Sequence, residues 1–220
     1  MAGHVEAVGG NVTQLQPGDE VFGWCDGSFA EYASVPHGQL ALKPTNLTFE
    51  QAAAVPISGF AALRAVRDTG QVQPGQQVVI IGASGGVGSF AVQLAKAFGA
   101  EVTGVCSTRS VEMAGNRSLA DLRRALSPRG TLVLVGGSGG RWFMGTGRTL
   151  RAVVVSPFVR QRLRSFFSKP KRTDLPVLKE LIEAGKVTPV IDRTFPLREA
   201  PEAIRYVRER STQEKTVITV

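Results

Sequence analysis

The chain has 220 residues, 43% of them apolar and 20% charged, with a net charge of +8. It can therefore bury a full core in one large domain or two modest ones, and a disordered or fibrous chain is excluded. The opening "MAGHVEAVGG" lacks the basic flank and apolar stretch of a secretory signal, and no run of 18 apolar residues occurs, so a cytoplasmic protein with no membrane partner is expected.

The charge excess is local. Residues 141–172 hold nine cations and no acid, which leaves 17 bases against 18 acids in the rest of the chain. Such a run reads first as a solvated or phosphate-facing segment, and nucleic-acid binding is the lesser reading. The two cysteines, Cys25 and Cys106, stand far apart and form no Cys-x-x-Cys pattern, against a disulfide framework or a zinc knuckle.

Residues 1–50 read as short strands and turns: "HVEAV", then "NVTQLQPGDEVFG" with its Pro-Gly-Asp turn, then the alternating "GSFAEYASVP". From "TFEQAAAVPISGFAALRAV" the pattern becomes helical, with Thr48 as an N-cap. A strand at 77–81, a helix at 86–98, a strand at 101–106, a helix at 117–126 and a strand at 131–136 follow, an alternation that indicates a parallel sheet. After the apolar run "LRAVVVS", the segment "SPFVRQRLRSFFSKPKR" carries an apolar stripe at helical spacing and is expected to be a basic helix. Thr173 caps a further helix that Gly185 ends, and the tail gives strand, helix and strand.

Gly82, Gly85 and Gly88 are spaced G-x-x-G-x-x-G between an apolar strand and a helix. A pyrophosphate needs backbone N–H groups within hydrogen-bond reach, which a Cβ at the turn would block. Gly85 and Gly86 clear that approach, and Gly88 lets the helix lie close to the strand. In this strand–turn–helix–strand setting, Ser84, Gly85, Gly86, Val87 and Gly88 are the candidate dinucleotide cradle. The same letters also fit a G-x-S-x-G nucleophile elbow, at "GASGG" with Ser84 and at "GGSGG" with Ser138. That elbow needs a downstream histidine, yet both histidines, His4 and His37, lie upstream, which disfavours a hydrolase.

The end of the second strand decides the nucleotide. An Asp or Glu there would accept from the ribose 2′-OH of NAD, whereas a 2′-phosphate needs donors and positive charge. The strand ends "CSTRS": Ser107, Thr108 and Arg109 all donate, and Arg109 offers a planar fork, so NADPH is the expected cofactor.

The pieces "VEAVGGNVTQLQPGDEVFG", "GSFAEYASVP", "AAAVPISGFAALRA", "PGQQVVIIGASGGVGSFAVQLAKAFGAEV", "RGTLVLVGG" and "AGKVTPVIDRTFPLREAPEAI" resemble, in family order, the zinc-independent medium-chain dehydrogenase/reductases of the quinone oxidoreductase and zeta-crystallin kind. The resemblance implies an α/β fold. A Rossmann-type parallel sheet over 51–189 would join a partial GroES-like β-rich domain made of 1–50 and completed by about 190–220. It also implies a usual homodimer, NADPH-dependent reduction of a small-molecule quinone, enone or related carbonyl compound, and Gly136 and Gly137 beside the nicotinamide. His4 does not align with the zinc-dependent branch's ligand, so no metal is expected.

Three departures from that family stand out. The family pattern has further strands ahead of "VEAVG" that this sequence does not contain. Between the strand at 101–106 and the helix at 117–126 lie ten residues, where the third strand, its helix and most of the fourth strand would need far more, so the Rossmann part reads as shortened near 110–116. The family's Thr stands at Ala61, and of its Gly-Lys loop "STQEK" keeps Lys215; both positions can contact cofactor in relatives. A catalytically impaired NADPH-binding remnant is therefore the alternative to an active oxidoreductase.

Overall fold

The computed structural model describes residues 1–106, 124, 126–128, 130–135, 161–166, 171–209 and 215–220. The first fifty residues form an antiparallel sheet, β1 (Ala2–His4), β2 (Glu20–Gly23) and β3 (Leu40–Leu42), with β2 in the middle. The strands are shorter than the sequence suggests. "NVTQLQPGDEVFG" contributes only its last four residues to a strand, and no strand forms in "GSFAEYASVP". There Phe29 and Tyr32 stand exposed, so the alternation has no buried face to hold it in a sheet.

Helix α1 (Phe49–Ala54) begins where the sequence places it. Thr48 Oγ1 accepts from the Gln51 N–H and Gln51 Oε1 accepts from the Thr48 N–H, a reciprocal capping box. Pro56 has no N–H to give, so it opens a second helix, α2 (Pro56–Leu63), at its first turn. α2 is almost wholly buried. It continues into a π-helical turn at Arg64–Thr69, where the Gly70 N–H reaches the Ala65 carbonyl. Arg164 caps that end by donating to the Thr69 carbonyl at 2.8 Å.

Strand β4 (Gln77–Ile81), helix α3 (Gly88–Ala97) and strand β5 (Glu101–Val105) form a parallel βαβ unit, with Gln77 opposite Glu101 through Ile81 opposite Val105. A second parallel pair joins β6 (Thr131–Val135) to β7 (Arg162–Phe166). β7 corrects the expected basic helix: Leu163 is buried between an exposed Arg162 and a half-buried Arg164. That two-residue alternation serves a parallel ladder beside β6 once the partner strand is present.

Helix α4 (Asp174–Glu183) follows. Thr173 sits at its N-cap position without a side-chain hydrogen bond, and Gly185, at φ 68°, ends it as expected. β8 (Ile191–Pro196), α5 (Ala200–Glu209) and β9 (Lys215–Thr219) close the chain, with β8 and β9 parallel.

The core centres on α2, α3 and α4: Phe60, Leu63, Phe90, Leu94, Leu178 and Ile182 are each at most 1% exposed. Gly59 brings α4 close to α2, because a Cβ there would lie 3.0 Å from Leu178 Cδ1. Two polar ties hold the layers together. Gln93 on α3 donates to the Thr188 carbonyl and accepts from the Thr188 N–H, at 3.0 and 2.7 Å. Arg67 reaches Asp174, which is fully buried at the start of α4, at 2.8 Å.

Candidate functional site

β4 runs into the glycine turn through Gly82, whose φ of +78° suits a residue without a side chain. The N–H groups of Gly82 and Ala83 donate to the Val105 carbonyl at 2.8 and 3.2 Å, so the end of β5 anchors the turn. The Gly85 N–H then closes on the Gly82 carbonyl at 3.0 Å. Gly88 starts α3 directly against the end of the strand. A Cβ there would overlap the Gly82 oxygen outright and lie 2.7 Å from the Gly82 carbonyl carbon and 2.9 Å from Ala83 Cα.

Among the described residues no side chain caps α3. The N–H groups of Gly86, Val87 and Gly88 meet no backbone acceptor among the described residues. Donors at the positive end of a ten-residue helix, in a turn rich in glycine, form a cradle for an anion.

Lys215, the first residue of β9, extends over this turn. Its Cε and Nζ lie 2.8 Å from where a Cβ on Gly86 would stand, and its Nζ donates to Ser58 Oγ on α2. Ser58 is 4% exposed. Burial of the Lys215 ammonium holds its pKa below the usual lysine value. The cradle therefore gathers one cation and N–H groups that have no backbone acceptor among the described residues, a donor set that suits the pyrophosphate of a dinucleotide.

The structure thus brings Ser84, Gly85, Gly86, Val87 and Gly88 together at the meeting of β4, β5 and α3. Ser107, Thr108, Arg109, Gly136, Gly137 and Ser138 lie outside the described residues, as does most of the basic segment and of the expected helix at 117–126. Ala61, where the family's Thr would stand, is 8% exposed on α2. His4 stacks on Phe49 with ring centroids 4.8 Å apart. Cys106 is exposed, and Cys25 meets the Met1 sulfur at 3.5 Å. A cavity of about 920 Å³ lies in the β-rich part, between β1, residues 28–35, α1 and the end of β9, and none of the glycine-turn residues lines it.

Sequence reasoning did not single out Ser58. Its one signal is that it is the only polar side chain in α2, "PISGFAAL". Lys215 stood out only through the family resemblance. The contact between the two spans 157 positions and has no local sequence signature.

Comparison with known proteins agrees with this geometry. The pattern of the zinc-binding dehydrogenases matches residues 102–218, and that of the alcohol dehydrogenase GroES-like domain matches residues 1–45. The chain is 31% identical to NAD(P)H oxidoreductase RTN4IP1, mitochondrial, of Mus musculus, over 100% of this chain and 69% of that protein. It is 42% identical to the quinone oxidoreductase of Pongo abelii over 49% of this chain and 33% of that one. The solved quinone oxidoreductase of Pseudomonas syringae superposes with a TM-score of 0.78 at 25% identity, covering 100% of this chain and 80% of that one. No helix among the described residues is long and apolar enough to cross a membrane. With a Rossmann-type parallel βαβ unit beside a GroES-like β-rich part, and with these relatives, the chain belongs to the quinone oxidoreductase-like medium-chain dehydrogenase/reductases and is an oxidoreductase that uses a nicotinamide cofactor.

Proposed function

We propose that the chain reduces quinones, enones or related carbonyl compounds with NADPH, without zinc and as a homodimer. The observation that carries this reading is the glycine turn itself. The N–H groups of Gly86, Val87 and Gly88 meet no backbone acceptor among the described residues, and the Lys215 ammonium lies over Gly86. When bound, reduced nicotinamide supplies the hydride, and the protein's part is to bind and orient.

In this reading Ser84 to Gly88 hold the pyrophosphate, and Ser107, Thr108 and Arg109 take the 2′-phosphate as β5 ends. Gly136 and Gly137 flank the nicotinamide beyond β6. The domain assignment goes with it: 1–50 with about 190–220 forms the GroES-like part, and 51–189 forms the nucleotide-binding part. Separate titrations with NADPH and NADH, followed by nicotinamide fluorescence, test the selectivity. NADPH should bind more tightly, and Arg109→Glu should weaken NADPH far more than NADH. Equal losses would remove Arg109 from the 2′-phosphate role.

A second reading, a binding protein impaired in turnover, is favoured by the alignment to the mouse relative, which runs over 274 positions against 220 in this chain. Measurable NADPH oxidation in the presence of a quinone or an enone would rule the second reading out.

A further inference from the structure

Lys215 is an unusual residue to find where it sits. It is half-buried, it lies at the positive end of α3, and no carboxylate pairs with it among the described residues. Burial and the helix dipole both disfavour its charge. An ammonium has three N–H groups to give, and among the described residues a single partner, Ser58 Oγ, takes one of them.

Ser58 is equally particular. It is the one polar side chain in a helix whose neighbours Phe60, Ala62 and Leu63 are completely buried. A buried hydroxyl without a partner would cost stability, so its presence is explained by what it touches.

We propose that Ser58 is a positioning residue for the dinucleotide site. It holds the Lys215 ammonium over Gly86, so that the two remaining N–H groups of Lys215, with the free N–H groups of Gly86, Val87 and Gly88, receive the cofactor's pyrophosphate. This rests on the reading of the glycine turn as a nicotinamide-dinucleotide cradle. The arrangement ties α2, the first turn of α3 and the first residue of β9 to one anion. Ser58 itself touches no cofactor and acts through Lys215, with its hydroxyl as the fixed point for an otherwise mobile side chain.

The test is a double-mutant cycle on the full chain, with Kd for NADPH and for ADP-ribose, which keeps the pyrophosphate, measured beside adenosine, which lacks it. Lys215→Met should weaken NADPH and ADP-ribose about tenfold or more, the loss of one charge-assisted hydrogen bond, and leave adenosine unchanged. Ser58→Ala should weaken the same two ligands severalfold in the wild-type background and by less than about twofold when Lys215 is already Met, because its effect passes through the lysine. Ser58→Cys, nearly the same size and a weak acceptor, serves if the alanine variant folds poorly, and its expected effect is the same.

If Ser58→Ala costs as much with Met at 215 as with Lys, or costs nothing in either, Ser58 is structural and the inference is overturned while the cofactor reading stands. If the wild-type chain binds neither NADPH nor ADP-ribose, the cofactor reading fails and this inference fails with it.

Discussion

Replacing Gly88 by alanine puts the glycine turn under the severest test available. The added Cβ would lie 2.7 Å from the Gly82 carbonyl carbon and 2.9 Å from Ala83 Cα, whereas unstrained carbon contacts begin near about 3.5 Å. Both obstructing groups are backbone. The Gly82 N–H and its neighbour are already committed to the Val105 carbonyl, so no flexible side chain can swing aside. The turn must open by roughly an ångström, and the cost belongs at the upper end of the overpacking range, about 3 kcal/mol. For a chain of this size that corresponds to a fall in Tm of about 6–12 °C. Opening the turn also withdraws the N–H groups from the anion, so the Kd for NADPH should rise at least about tenfold, on the worth of one charge-assisted hydrogen bond. Thermal unfolding by circular dichroism and a fluorescence titration read the two effects. Gly9→Ala is the control, because nothing lies within 4 Å of a Cβ there. A Gly88→Ala chain that melts and binds like the wild type would refute the close approach of α3 to β4.

The remaining predictions concern the ties between layers. Arg67→Ala leaves the fully buried Asp174, whose second oxygen already lacks a hydrogen bond, with no side-chain partner among the described residues. The cost should be about 3–5 kcal/mol, read as a lowered urea midpoint, and adding Asp174→Asn should restore part of it by removing the stranded charge. No recovery would argue against that charge as the cause. The Arg67 hydrogen bond, with weaker help from nearby cations, holds the Asp68 carboxyl below its ordinary pKa. Its contribution is therefore complete at neutral pH and lost as pH falls below the ordinary carboxylate range through the depressed folded value. Asp68 is partly exposed, so this acid-side loss should stay below about 1 kcal/mol and be reduced, with Arg64 still beside the carboxylate, in Arg67→Ala melts followed from about pH 7 to about pH 3. Gln93→Ala removes both hydrogen bonds to the Thr188 backbone and should lower Tm by about 2–4 °C for a net loss near 1 kcal/mol; an unchanged melt would mean that water replaces them at no cost.

The elements legible in the sequence are those whose determinants are local. Thr48 marks the start of α1 and Gly185 stops α4, each within a few residues of the helix end it serves, whereas the second start at Pro56 lay inside what reads as one helical stretch. The β4–turn–α3–β5 unit is legible for the same reason, since an apolar strand, close glycines and a helical stripe follow one another without a break. β7 was not legible. Its apolar residues fit a helical stripe as well as a strand, and what decides between them is the ladder to β6, from Thr131 opposite Arg162 to Val135 opposite Phe166. "GSFAEYASVP" fails in the opposite direction, with an alternating pattern that finds no sheet to bury one of its faces. In the site, the backbone cradle could be read from glycine spacing. Ser58 and Lys215 could not be joined in the same way, because only the folded chain brings positions 157 apart into contact.

The central claim is that the turn from Gly82 to Gly88 binds a nicotinamide dinucleotide. Its most direct test is titration of the purified chain with NADPH and, separately, NADH, following nicotinamide fluorescence. The account predicts saturable binding, tighter for NADPH and weakened at least about tenfold by Gly88→Ala; no saturable binding of either nucleotide to the folded wild-type chain would contradict it.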